Sequence, residues 1–163
     1  MKSLLILFGI FLFTISRLAA QEFNDQGSLD HAKKISIHGS VGSLGLYFSA
    51  TGKLEFLFYS TQNKKLTLFA RGGFGGFATY GDQGTYLLIE PGLLIGAKNS
   101  HLEFSTGLNI YLNDGEFVNF PLSGTLGYRY QKWDGKLLFR AGIAWPEGVY
   151  LGLGLLLGAK PGF

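Results

Sequence analysis

Ser100–Leu112, SHLEFSTGLNIYL, is the stretch that decides the fold. One parity carries Leu102, Phe104, Thr106, Leu108, Ile110 and Leu112. The other carries His101, Glu103, Ser105, Gly107, Asn109 and Tyr111. Successive side chains point to opposite faces of a strand, whereas a helix would gather its apolar residues every three to four positions. The stretch is therefore a β-strand with one apolar and one polar face.

The same alternation spreads outward in both directions. Toward the C-terminus, Phe120, Leu122, Leu126, Tyr128 and Tyr130 oppose Ser123, Thr125, Gly127, Arg129 and Gln131. Next, Leu137, Phe139, Ala141, Ile143 and Trp145 oppose Leu138, Arg140 and Gly142. In the last segment, Val149, Leu151, Leu153, Leu155 and Leu157 oppose Tyr150, Gly152, Gly154 and Gly158. Toward the N-terminus the pattern is looser. Residues 85–97 set Leu87, Ile89, Leu93 and Ile95 against Glu90; residues 66–78 set Leu66, Leu68, Ala70 and Phe74 against Arg71; residues 53–60 offer Leu54, Phe56 and Phe58. In 35–48 the parity slips near Ser43, which predicts a β-bulge there; the alternative leaves 35–41 outside the sheet. Turn chemistry punctuates the runs. It predicts turns at 61–65, 98–100 and 132–135 on one end, and loops at 49–52, 79–84, 113–119 and 146–148 on the other. Eight strands result.

Two architectures accommodate such strands: a soluble sandwich or barrel with the apolar face inside, or a barrel in lipid with it outside. Segment length favours lipid. Twelve residues at roughly 3.4 Å each, tilted about 45°, span about 29 Å, enough for an apolar band of about 25 Å. The polar parity also carries Arg71, Glu90, Glu103, Arg129 and Arg140 in mid-strand, together with glycines at 73, 75, 92, 96, 107, 127, 142, 152, 154 and 158. An eight-stranded interior is just filled by side chains, and inward glycines leave room for long arginines. Aromatic residues gather toward both ends: Tyr59, Tyr128, Tyr130 and Trp133 at one, and Tyr80, Tyr86, Phe117, Phe120 and Trp145 at the other. That is the girdle pattern of membrane barrels. The predicted fold is all-β, an eight-stranded antiparallel up-and-down transmembrane β-barrel over 35–163.

Residues 1–20, MKSLLILFGIFLFTISRLAA, have a charged start, an apolar run from Leu4 to Ile15 and small Ala19-Ala20. These mark a secretory signal peptide, followed by an N-terminal periplasmic segment at 21–34. Its removal takes Lys2 and Arg17 and no acid, so 14 basic side chains fall to 12 against 11 acidic ones. No basic run or recognition helix remains to bind nucleic acid. The chain has no cysteine, which excludes disulfides, thiolate metal sites and a lipid-anchored N-terminal cysteine.

The run from His101-Leu102-Glu103-Phe104 through Gly127-Tyr128-Arg129-Tyr130-Gln131 to Phe139-Arg140-Ala141-Gly142-Ile143 resembles small outer-membrane proteins of Gram-negative bacteria. Arg129 and Arg140 carry the likeness, which covers residues 100–163 well and the earlier chain loosely. It implies a barrel of the same general class as the OmpA transmembrane domain, without a periplasmic domain, and it implies no reaction.

Chemistry has two candidates. Arg71, Glu90, Glu103, Arg129 and Arg140 are predicted to form an interior ion-pair network that plugs the barrel; an anion site or a small gated pore is the functional alternative. His38-Gly39-Ser40 sets an imidazole and a hydroxyl on one strand face, a pairing able to activate a nucleophile. An H-x-S element also occurs in outer-membrane lipid A deacylases, which this chain resembles in size and barrel type. Parity points both side chains inward, and no acid is placed to orient His38. His101 beside Glu103 supplies only two ligands, short of a metal site. The loop acids Asp82, Asp114, Glu116 and Glu147 are placed to meet cations bridging lipopolysaccharide, or simply to be solvated. The expectation is a non-enzymatic, monomeric outer-membrane barrel with a structural or surface-interaction role and no cofactor. Its partners are outer-membrane lipids, lipopolysaccharide and, during insertion, the barrel-assembly machinery. A lipid A acyl hydrolase using His38 and Ser40, and a secreted lipid- or small-ligand-binding barrel, are the alternatives.

Overall fold

A computed structural model describes residues 34–61, 65–112, 120–132 and 135–157. The expected signal peptide, the 21–33 segment, Asp114, Glu116, Phe117, Trp133 and Gly158 lie outside these. Eight strands follow one another: β1 (Lys34–Leu44), β2 (Tyr47–Ser60), β3 (Leu66–Thr79), β4 (Asp82–Ala97), β5 (Ser100–Tyr111), β6 (Leu122–Gln131), β7 (Leu137–Trp145) and β8 (Gly148–Leu157). Each pairs antiparallel with the next, and β1 closes on β8 from Ile35↔Leu157 to Ser43↔Val149. The product is a closed up-and-down barrel with no free sheet edge. Its rims are distinct. The start of β1, the end of β8 and the 61–65, 98–99 and 132–136 connections share one, here the termini rim; the remaining turns share the opposite rim.

The parity slip near Ser43 is a hairpin turn, not a bulge. Leu44 pairs with Tyr47, leaving Gly45 and Leu46 as a two-residue loop with Gly45 at φ +69°. Glycine at the first loop position suits a tight hairpin whose twist matches its strands. An even-membered loop between apolar residues shifts the alternation just as a bulge would. In consequence residues 49–52, expected to form a loop, lie within β2, and residues 35–41 belong to the barrel. A bulge occurs further along, where Leu57 faces Phe69 and Tyr59 faces Leu68, leaving Phe58 as the extra residue.

The barrel is apolar outside and polar at its centre. Exterior positions include Ile37, Phe56, Ile89, Leu126 (62% exposed) and Leu153 (68% exposed). Arg71, Arg129 and Arg140 are buried in the lumen. Apolar clusters fill the lumen above and below the charges. Tyr47, Phe77, Tyr86 and Leu88, with Tyr111 and Trp145 against them, close the opposite rim. Leu57, Phe69, Leu94, Leu138 and Leu156 close the termini rim. Tyr86 is thus an interior plug residue and not part of the girdle; its hydroxyl shares a 2.6 Å hydrogen bond with Thr51.

Of the glycines expected to face inward, three seat rings, and the others that are described abut neighbouring backbone, Lys53, Ser40 or His38; none meets an arginine. A Cβ at Gly75 would stand 2.6 Å from the Tyr86 hydroxyl, one at Gly92 would stand 2.7 Å from the Phe69 ring, and one at Gly127 would strike the Tyr150 hydroxyl. The arginines find their space at the barrel axis, between the two apolar layers.

Candidate functional site: the buried ion-pair lattice

The midsection of the lumen holds a lattice assembled from seven of the eight strands. Arg71 on β3 is its hub. Its Nε donates to Glu90 on β4 at 2.6 Å, and its Nη1 donates to Glu103 on β5 at 2.5 Å. Its Nη2 donates to Ser105 on β5 at 2.7 Å and to Thr125 on β6 at 2.8 Å. A planar guanidinium presents five donors in a fixed fork, so one residue ties four strands together. Glu103 also accepts from Arg140 on β7 through Nε at 2.9 Å and through Nη2. Arg129 on β6 donates through Nη1 to Glu55 on β2 at 2.7 Å, and Ser36 on β1 donates to the same oxygen at 3.0 Å. Arg140 and Arg71 lie 5.3 Å and 5.2 Å from the ring centres of Tyr150 and Phe69, respectively. Those contacts let the aromatic faces carry part of the cationic charge.

All five network residues expected from the sequence therefore come together. The structure adds partners that alternation had left unassigned. Glu55 joins the lattice as the anion for Arg129. Lys53, also on β2, forms a 2.5 Å ion pair with Glu147 nearer the opposite rim. Glu147 is 1% exposed, so it is an interior anion and not a solvated loop acid. The turn that bears it folds into the mouth, where Ser49 Oγ donates to the Glu147 carbonyl at 3.0 Å. Gly42 is where β1 makes room, because a Cβ there would strike that same carbonyl. Both Lys53 and Glu55 sit on the parity opposite Leu54 and Phe56, the signal that would have found them. Among the described residues the lumen buries four cations, Lys53, Arg71, Arg129 and Arg140, against four carboxylates, Glu55, Glu90, Glu103 and Glu147.

His38 and Ser40 point inward as expected, and both are buried. They do not form a nucleophile pair in this arrangement. His38 Nε2 lies 2.9 Å from Arg140 Nη1; since a guanidinium only donates, Nε2 is the acceptor. Its lone pair is committed to Arg140, and Ser40 Oγ has no hydrogen-bond partner among the described residues. A general base must reach the proton that it abstracts, and His38 is turned to the cation instead. His101 and Glu103 also face the lumen. Glu103 is taken by arginines, and among the described residues no group of three or more metal-ligating side chains assembles.

Buried charges are tolerated only when paired with good geometry. The lattice supplies that pairing, with an apolar layer at each end. Its chemistry is that of a fixed internal strut, with cations held by anions across the lumen; Arg129 Nε and Nη2 and Glu55 Oε2 have no hydrogen-bond partner among the described residues. Comparison of the chain with protein-family models, curated proteins and solved structures finds no match.

Proposed function

We propose that this protein is an outer-membrane β-barrel of Gram-negative bacteria, exported by its first twenty residues. On this reading it is monomeric and non-enzymatic, has a sealed interior, and serves a structural or surface-interaction role among outer-membrane lipids and lipopolysaccharide. The observation that carries this reading is the inverted polarity of the barrel. Apolar side chains such as Ile37, Phe56, Ile89, Leu126 and Leu151 cover the exterior, while four cations and four carboxylates lie inside. Soluble monomers rarely expose a contiguous apolar patch beyond a few hundred Å². Lipid removes that penalty, and it also requires that no backbone edge be left unpaired, a condition met by β1–β8 closure. Ten strand residues at a tilt of about 45° rise about 24 Å, matching the apolar band of such barrels.

The competing readings have less support. A lipid A hydrolase would need His38 and Ser40 accessible and coupled, whereas both are buried and His38 is held by Arg140. A ligand-carrying secreted barrel would need an internal cavity where the lattice and two apolar layers stand.

Fractionation is the deciding experiment. The protein is expected in outer-membrane fractions, migrating faster on gels when unheated than when boiled. Recovery as a soluble periplasmic protein would overturn the membrane reading. The sealed lumen has its own test in planar bilayers, where the refolded protein is expected to conduct no ions. A stable open channel would show that the plug is not closed.

A further inference from the structure

Charges outside the lumen are sorted between the two rims. Apart from buried Lys53, every lysine among the described residues falls at the start of β1 or in the 61–65, 98–99 and 132–136 connections, all at the termini rim. Asp134 is the sole acid in those three connections. Lys65, Lys98, Lys132 and Lys136 are exposed there. The described residues of the opposite rim, 45–46, 80–81, 112, 120–121 and 146–147, contain no lysine or arginine.

The exterior leading up to the lysines is graded. Along the outward face of β6 and just past it, Leu126, Tyr128, Tyr130 and Lys132 follow in order, all exposed. Tyr128 is braced by a 2.8 Å hydrogen bond between its hydroxyl and Ser100 Oγ. Apolar side chain, phenol and ammonium thus succeed one another toward the rim. This is the order in which a bilayer passes from hydrocarbon through its polar interface to its phosphates.

We propose that the termini rim docks the headgroup phosphates of anionic glycerophospholipids, with Lys65, Lys98, Lys132 and Lys136 as the binding collar. The proposal rests on the membrane reading given above. Charge complementarity carries it, because an ammonium on a flexible stem meets phosphate as a compact point charge. The leaflet is assigned by loop length. Membrane barrels carry their longer loops on the outside; no connection at the termini rim exceeds five residues, whereas 112–121 at the opposite rim spans ten, beside three two-residue turns. The collar therefore faces the periplasmic leaflet.

The test uses the full chain refolded into vesicles of phosphatidylcholine alone and of phosphatidylcholine with one-fifth phosphatidylglycerol. Native mass spectrometry then counts the lipids retained after detergent extraction, and heat-modifiable mobility reports folding. The wild type is expected to insert in both vesicles and to retain phosphatidylglycerol preferentially. Each lysine is expected to contribute about fivefold to that preference, which should fade as salt is raised. The quadruple variant K65Q/K98Q/K132Q/K136Q is expected to insert yet lose the preference; if it fails to fold, the four single variants carry the test. Equal retention of the two lipids by the wild type overturns the proposal and leaves the membrane reading standing, as does a preference that survives removal of the lysines. Stronger retention of lipid A when it replaces phosphatidylglycerol also overturns it, by assigning the collar to the other phosphate source. Failure to insert in either vesicle overturns the membrane reading and this inference with it.

Discussion

Replacing Arg71 with methionine is expected to destabilise the barrel by about 3–5 kcal/mol, the range seen when one partner of a buried ion pair is removed. Arg71 is fully enclosed and satisfies Glu90 and Glu103 while also bonding Ser105 and Thr125. The variant keeps most of the side-chain length and loses all five donors. Glu103 retains Arg140, so the damage concentrates on Glu90, which is left with a 3.2 Å hydrogen bond from Ser105 and no paired cation at that distance. Arg71→Lys is expected to fall between the variant and the wild type, because one ammonium cannot reproduce a fork spanning four strands. Urea unfolding of the refolded protein in detergent micelles, followed by gel mobility, measures both changes. An unchanged midpoint for Arg71→Met would show that the lattice is not a stabilising strut.

A second large effect is expected at the mouth. Lys53→Met leaves the Glu147 carboxylate buried without its cation, and Glu147→Gln leaves Lys53 buried without its anion. Each single change is expected to cost about 3–5 kcal/mol. The two together are expected to cost much less than their sum, since neither then strands a charge in the lumen. That non-additivity separates a buried ion pair from two independent packing positions. Additive losses in the same unfolding experiment would show that Lys53 and Glu147 act separately.

The architecture was legible because period two dominates wherever one face is apolar and the other polar. Segments 100–112, 120–131 and 136–145 announced both their faces and their charged residues, so Glu103, Arg129 and Arg140 were found directly. Legibility failed where local chemistry imitates something else. A two-residue turn at Gly45-Leu46, set between apolar residues, gives the same phase shift as a bulge, and the error moved residues 49–52 out of β2. With that strand shortened, the parity holding Lys53 and Glu55 went unread. Glu147 follows proline and precedes glycine, a setting that normally means a solvated turn; only the inward fold of that turn buries it. Phe69, Phe77, Tyr86 and Leu88 lie on the charged parity because this lumen is closed by apolar layers, which blurs the alternation in β3 and β4. The collar of lysines escaped notice for another reason. Its members are scattered along the chain, and only the topology gathers them at one rim.

The lattice also bears on the order of assembly. Arg71–Glu90 joins neighbouring strands, so it can form within the β3–β4 hairpin. Arg71–Glu103, Arg140–Glu103, Arg129–Glu55 and Arg140–His38 join strands that are not neighbours in the sheet. These contacts exist only once the sheet has curled enough to bring its concave side together. A half-curled intermediate would carry the lumenal charges without their partners and with two open edges. Closure and charge pairing are consequently one event, and the barrel is built to be cooperative: partial sheets gain little, and the final pairing of β8 with β1 completes the structure.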